Sequence, residues 1–414
     1  MATELGADGW LLISAALVLF MTPGLAFFYG GMDRSRNVLN MLMMNFWCLL
    51  IIPIVWVVIG YSIAYGDTAG SLFGGFDAAF LGNLNLTSQS GADTLMLVAF
   101  LGMFAVITPA LISGAVADRM KFAAWAVFAP VWMLLVFAPV FKWVYGGWLG
   151  VRGSLDFAGG TAIHVNAGIA ALVAVLILGK RKGWPGEGHP PHSMPLVMIG
   201  TGILWFGWFG FNAGSALSAN GVAVQAFMNT FLAAAAAGLA WAIVERIKDG
   251  HFTNLGAASG IVAGLVAITP ACGYVSSMSS IFIGLAAGVI CCYAVHIKFK
   301  AGFDDALDVV GVHFVGGLVG SLMIGLFADA DYFGAEHMNG LFYGGGLELL
   351  AEQALANGVT IVYSGIVTAV ILLAIKATIG LRVTEEVEAT GLDVAEHAET
   401  AYNTGDAFME RAGF

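Results

Sequence analysis

Apolar residues occupy this chain in long, nearly charge-free blocks divided by short polar breaks. The blocks lie near 10–31, 41–65, 94–117, 122–141, 157–179, 195–219, 221–244, 254–271, 273–295, 309–328 and 356–375. A helix needs about 20 apolar residues to cross the hydrocarbon of a bilayer. The pattern therefore predicts eleven transmembrane helices, the 254–271 block being short. Composition excludes a set of soluble domains: 59% of the 414 residues are hydrophobic and 10% are charged, where a soluble chain carries roughly a quarter charged. Mean hydropathy is +0.87. The 56 glycines are about twice ordinary usage and suit helices packed closely in lipid. An all-α, multi-pass membrane protein is expected.

The basic residues sort by side. Of 16 Lys and Arg, 14 follow odd-numbered blocks, the eleventh included, and only Lys142 and Arg152 lie opposite. By the positive-inside rule the N-terminus is outside and the C-terminus cytoplasmic. A miscounted block would scramble this alternation, so the charges check the count independently. The acidic start has no basic n-region, and the apolar run after it exceeds a signal h-region, so no cleavable signal is expected. Residues 1–380 read as the transmembrane domain and 381–414 as a cytoplasmic tail. That tail carries eight acidic residues and two basic ones (Arg382, Arg411), more than half of the net −11. An acidic surface argues against a nucleic-acid partner. The cysteines (Cys48, Cys272, Cys291, Cys292) sit in apolar stretches without metal-type spacing, so neither a disulfide framework nor a metal site is expected, and no cofactor.

Ten blocks precede the last and divide into five plus five. Halves with an odd number of crossings enter from opposite faces, which is an inverted repeat followed by a final helix. One weak echo fits: Asp156, seven residues, then His164-Val-Asn-Ala-Gly; Asp305, seven residues, then His313-Phe-Val-Gly-Gly. His164 and His313 are the only ionisable residues clearly inside the blocks, and an intramembrane ionisable group is a functional candidate. Each could equally be a neutral imidazole bonded to a neighbouring helix. The run Gly207-Trp-Phe-Gly-Phe-Asn-Ala-Gly-Ser215 lies at the outer end of the sixth block. Its aromatics suit an interfacial belt or a cation–π cage. A third stretch, Phe141-Lys-Trp143-Val-Tyr145-Gly-Gly-Trp148, precedes Asp156-Phe-Ala-Gly-Gly-Thr161. Asp156 and Asp308 stand where carboxylates cap helices.

Several of these motifs, in this order, resemble the signature of ammonium transporters of the Amt/Mep/Rh family, of prokaryotic Amt type. They are Asp156-Phe-Ala-Gly-Gly-Thr with His164-Val-Asn-Ala-Gly, Gly207 to Ser215, Ala258 to Gly273, Asp308-Val-Val-Gly-Val-His313, and Leu381-Arg-Val-Thr-Glu-Glu with Gly391-Leu-Asp-Val-Ala-Glu-His. The resemblance runs from about residue 9 to 402. It implies twin pore histidines at His164 and His313, and stacked gate phenylalanines at Phe104 and Phe211. It implies an ion-binding hydroxyl at Ser215 and an acid near the recruitment site at Asp156. The family's outer tryptophan position holds Tyr145, with Trp143 and Trp148 near. Asp308 is expected as a structural acid. The family further implies a homotrimer in the cell membrane, ammonium (methylammonium as analogue) as cargo, and a PII-type nitrogen regulatory protein at the cytoplasmic face.

A physical argument accompanies the resemblance. Moving a bare cation through an apolar pore is costly. Ammonium can shed its proton and pass as ammonia, and potassium cannot. Other readings are an ammonium sensor signalling through the tail, a carbon dioxide or methylammonium path, and a metal or hydrolytic centre. The last lacks a His-Glu-x-x-His or nucleophile motif, so no enzyme is expected.

Overall fold

Each apolar block becomes helical because, inside a bilayer, backbone N–H and C=O groups must be satisfied within their own segment. The structure, a computed structural model, describes residues 2–66, 72–82, 88–186, 188–333 and 338–402. Gly405 and Arg411 of the expected tail lie outside the described residues. Ten helices are long and apolar enough to cross a membrane: α1 (Asp8–Met32), α2 (Val38–Tyr65), α3 (Gln89–Ile112), α4 (Phe122–Arg152), α5 (Gly160–Leu178), α6 (Met194–Gly214), α7 (Gly221–Asp249), α9 (Ser277–Ala301), α10 (Val310–Phe327) and α11 (Glu348–Thr378). The short block forms α8 (Asn254–Ile268), whose 15 residues span about 22 Å. Turns then carry the chain to α9. Two short tail helices follow, α12 (Glu385–Thr390) and α13 (Leu392–His397). The membrane protein is thus all-helical over its described residues, apart from one isolated bridge between Met120 and Arg382.

Local chemistry sets the ends. Ser88, Ser193, Asn220, Thr253 and Ser276 start α3, α6, α7, α8 and α9 by accepting a backbone N–H of the first turn. Pro53 and Pro130 lie inside α2 and α4, and each is followed by a π-helical turn, Trp56–Gly60 and Met133–Phe137. Such local widening is one way the backbone stays bonded near a proline in a membrane helix.

Helix neighbours repeat between the halves. The pairs α1–α2, α1–α3, α2–α3, α2–α4, α3–α5 and α4–α5 recur as α6–α7, α6–α8, α7–α8, α7–α9, α8–α10 and α9–α10. The halves meet through α1 against α6 and α5 against α10. Glycine permits the second crossing. A Cβ on Gly168 of α5 would stand 2.5 Å from Phe314 of α10, and one on Gly317 would stand 3.1 Å from the His164 Cβ. This backbone approach brings the two histidine-bearing turns together.

The loops collect at two ends. At one, Arg181 joins Asp118 and Asp304, Arg34 lies 3.6 Å from Asp118, and Lys248 contacts His296. Arg34, Asp118, Arg181 and Asp304 lie in the loops after α1, α3, α5 and α9, and Lys248 and His296 near the ends of α7 and α9. The tail docks there too. Leu392 N–H donates to Asn37, Asn40 N–H to Asp393, Phe122 N–H to Glu396, and Arg382 pairs with buried Glu388 at 2.6 Å. The opposite end holds the loops after even-numbered helices, with Lys142 Nζ on the Gly66 carbonyl and Arg152 on Glu352.

Candidate functional site

The site is built from the first turns of α5 and α10. Both histidines sit on π-helical turns, Gly160–Val165 and Val310–Phe314, a local form concentrated at functional sites. Each turn is started by an aspartate eight residues before its histidine. Asp156 accepts backbone N–H groups from Gly159, Gly160, Thr161 and Ala162 at 2.7–3.0 Å. Burial raises its proton affinity, and those four donors oppose the rise. Asp305 accepts from Val309 and Val310 at 3.1 and 2.7 Å, and burial pushes it up to about 6 against the pull of Lys298. Capping of α10 therefore falls to Asp305 rather than Asp308. Asp308 has a left-handed backbone (φ +62°) and pairs with Lys298 Nζ at 2.6 Å.

A polar clamp fixes the α5 turn. Gln353 of α11 bonds both the N–H and the carbonyl of Leu155, while Thr161 bonds Ser321 of α10 at 3.0 Å and Asn357 of α11 at 3.2 Å. Held this way, His164 Nδ1 and His313 Nδ1 lie 3.2 Å apart, and the rings are 17° from parallel. Two nitrogens at that distance make a hydrogen bond when one of them carries a hydrogen. Both side chains are buried, and His164 Nε2 has no partner.

That free nitrogen belongs to a slender cavity lined by Met21, Leu25, Phe28, Ile107, Leu111 and Ile163, with Leu204, Trp208, Phe211 and Val262 completing it around both histidines. The cavity is barely large enough for a single water-sized molecule. Trp208 stacks 5.5 Å from His164 and is tied through its indole N–H to Thr269.

Phe104 and Phe211 close the cavity toward the end away from the tail, with ring centroids 4.3 Å apart. Phe211 faces the histidines, and Phe104 faces a second hollow of about 90 Å³. Tyr65, Phe100, Phe141, Tyr145, Phe157 and Ser215 line that hollow with Phe104. The Ser215 hydroxyl donates to the Phe211 carbonyl at 2.8 Å, which leaves its oxygen lone pairs for a donor in the hollow.

The structure thus brings together His164, His313, Phe104, Phe211, Ser215 and Tyr145. Trp148 packs against Trp143 at 6.3 Å, is 38% exposed and does not line the hollow. Asp156 is committed to the α5 backbone. The sequence motifs include Trp208, Phe157 and Asp305 but do not single them out as site residues, and they carry no sign of the Gln353–Asn357 clamp. The aspartate–histidine spacing carried a signal for Asp305; the others become site residues only through long-range packing.

A multi-pass helical bundle that encloses a small, mostly apolar cavity beside one imidazole pair fits a membrane transport protein. The Ammonium Transporter Family pattern matches residues 9–402, and the chain belongs to that family. It is 50% identical to an ammonium transporter of Mycobacterium tuberculosis (strain H37Rv), covering 96% of this chain and 90% of that one. It is 49% identical to one of Aquifex aeolicus, covering 97% and 94%. The crystal structure of Saccharomyces cerevisiae Mep2 superposes with a TM-score of 0.87 at 33% identity, covering 97% of this chain and 92% of that one.

Proposed function

We propose that this chain carries ammonium across the cell membrane, taking it up as the ion and passing it through the apolar section as ammonia. The observation that carries the reading is the His164–His313 contact inside a cavity otherwise lined by apolar and aromatic groups. Ammonium rests in the hollow bounded by Phe104, Tyr145 and Ser215, where aromatic faces and a hydroxyl oxygen suit a cation. Loss of hydration at the Phe104–Phe211 stack favours the neutral form. Ammonia then donates to and accepts from the imidazoles in turn, and one proton between the two rings links them. The four backbone bonds of Asp156 support a positioning role for that residue: it holds the turn that presents His164. Trp148 would act at the rim only.

Eleven crossings, an N-terminus outside and a cytoplasmic tail follow from the charge alternation, and the sorting of loops to two ends supports them. The matching helix neighbours support a five-plus-five inverted repeat. Homotrimeric assembly and a PII-type protein at the tail face complete the proposal.

Solid-supported-membrane recordings on purified protein test it with pulses of ammonium, methylammonium and potassium. Ammonium current without potassium current is expected, and His164→Ala or His313→Ala should lower its rate or its selectivity. Potassium passing as freely as ammonium, or wild-type behaviour in both variants, would end the model. Phe211→Ala should change apparent affinity or selectivity while the oligomer persists. Capture of a PII protein by the full chain but not by a chain lacking 381–414, at varied nucleotide and 2-oxoglutarate, tests the partner.

A further inference from the structure

The cavity's α1 lining, Met21, Leu25 and Phe28, continues one turn on to Met32 and Asp33, which open onto a separate hollow of about 220 Å³ at the tail end. Val262 gives way to Leu255 along α8, and His313 to Asp308 before α10, so this hollow lies beyond the cavity on its tail side, where a mouth of the conduit would open. Gly188, Pro185 and half-buried His189 place it at the surface.

Two carboxyl groups on its wall are treated differently. Asp118 is fully engaged: one oxygen accepts from Asn37, and the other takes Arg181 at 2.9 Å with Arg34 at 3.6 Å. Asp33 is 3% exposed; its Oδ1 accepts the Arg34 N–H at 2.7 Å, and its Oδ2 has no partner. A buried carboxylate oxygen without a donor is costly, whereas a carboxylic O–H aimed at a neighbouring carboxylate is not. The charges facing the pair are Arg34, Arg181, Lys298 and Asp308, with His189 held 3.0 Å or less from the Arg34 guanidinium. Three of them are cations: Arg34 and Arg181 pair with Asp118, Arg181 also with Asp304, and Lys298 with Asp308. Burial and the Asp118 charge both push the Asp33 proton affinity up, while the Arg34 N–H and Arg181 oppose them.

We propose that Asp33 and Asp118 hold one proton between them, carried by Asp33, and that Asp33 gives it to ammonia arriving at the tail-side mouth. This deepens the transport reading and rests on it. The Asp33 O–H bond breaks and an N–H bond forms, leaving ammonium and a carboxylate. Hydronium from tail-side water restores the acid, so the net step is ammonia plus hydronium giving ammonium plus water. Asp118, fixed by Arg181 and Asn37, is a positioning residue.

Asp33→Asn, close in shape, tests the assignment by two readouts. In infrared difference spectra of purified protein at neutral pH, wild type minus variant should show a carboxylic-acid carbonyl band. With tail-side pH varied alone, the ammonium current of the variant should fall about tenfold, less than a positioned acid often contributes because water substitutes in part, and lose its pH dependence there. No acid band in the difference spectrum, or an unchanged pH profile, overturns the proposal. If the variant does not fold, wild type minus Asp33→Glu decides: the buried acid carbonyl band should shift or vanish, the bands of Asp156 and Asp305 cancelling in the difference, and an unchanged acid region overturns the proposal. A wild type with the band but no ammonium current would sink the transport reading and leave the shared proton standing.

Discussion

The histidine site and the tail end of this molecule keep polar groups under opposite rules. At the histidine site, two imidazoles face each other 3.2 Å apart among apolar side chains, and no carboxylate bonds either ring among the described residues. At the tail end, Arg181 sits between Asp118 and Asp304, and Arg119 donates to the carbonyls of Gly179 and Asp304. Burial is nearly complete in both places. What differs is how polarity is paid for: near the middle of a bilayer an isolated ion costs far more than a neutral donor–acceptor pair. Toward the mouth, charges can be kept if each meets its counter-charge, and there they fasten loops and tail together.

The largest test of that contrast is Arg181→Leu. Removing the shared cation leaves Asp118 and Asp304 buried beside each other, so thermal unfolding should report a loss of about 3–5 kcal/mol. A loss below about 1 kcal/mol would mean that water, and not Arg181, serves those carboxylates. Next come the two aspartates that start the histidine turns. Asp156→Ala orphans four buried N–H groups and should cost about 2–4 kcal/mol, while Asp305→Ala orphans two and should cost roughly half as much. Equal costs would show that the halves do not divide the work as their geometry indicates. Smaller still in stability is His164→Leu, expected within about 1.5 kcal/mol of wild type because the site is already apolar, although ammonium current should drop at least tenfold. A stability loss as large as that of Arg181→Leu would erase the distinction between the regions.

Acid gives the mildest perturbation. Burial alone would raise Asp118 and Asp304, but Arg181 with Arg34 holds Asp118 below the usual carboxylate range, and Arg181 holds Asp304 there. For depressed groups the stabilisation is complete above their unfolded value, about 4, and fades as pH falls through the lowered folded values. Hydrogen exchange should therefore loosen the loops after α1, α3 and α9 below pH 4, but not the α5 and α10 turns, whose Asp156 and Asp305 are raised and so lose no stability to acid.

Much of the architecture was legible in the chain because lipid imposes a length and a charge rule on each segment separately. Blocks of about twenty apolar residues and the one-sided lysines and arginines can be read without knowing any contact. The α8 block was already short in the sequence and remains a short helix. The histidines were legible as candidates for the same reason: an ionisable group in an apolar run is costly wherever the run goes. Their partnership was visible only as a matched spacing from Asp156 and Asp305.

What tertiary structure alone decided is everything that depends on two segments meeting. The 3.2 Å contact exists because Gly168 and Gly317 let α5 and α10 approach at the backbone, with both rings carried on π-helical turns. Trp148 and Tyr145 look interchangeable three residues apart in sequence, yet one turns toward Trp143 and the other lines the hollow beside Phe104. Likewise Asp33 and Asp118, 85 positions apart, become a pair only at the tail-side mouth. Hydrophobic length is a property of one stretch of chain, set by its own contact with lipid; the chemistry of the conduit is a property of distances between stretches, and those are set by packing.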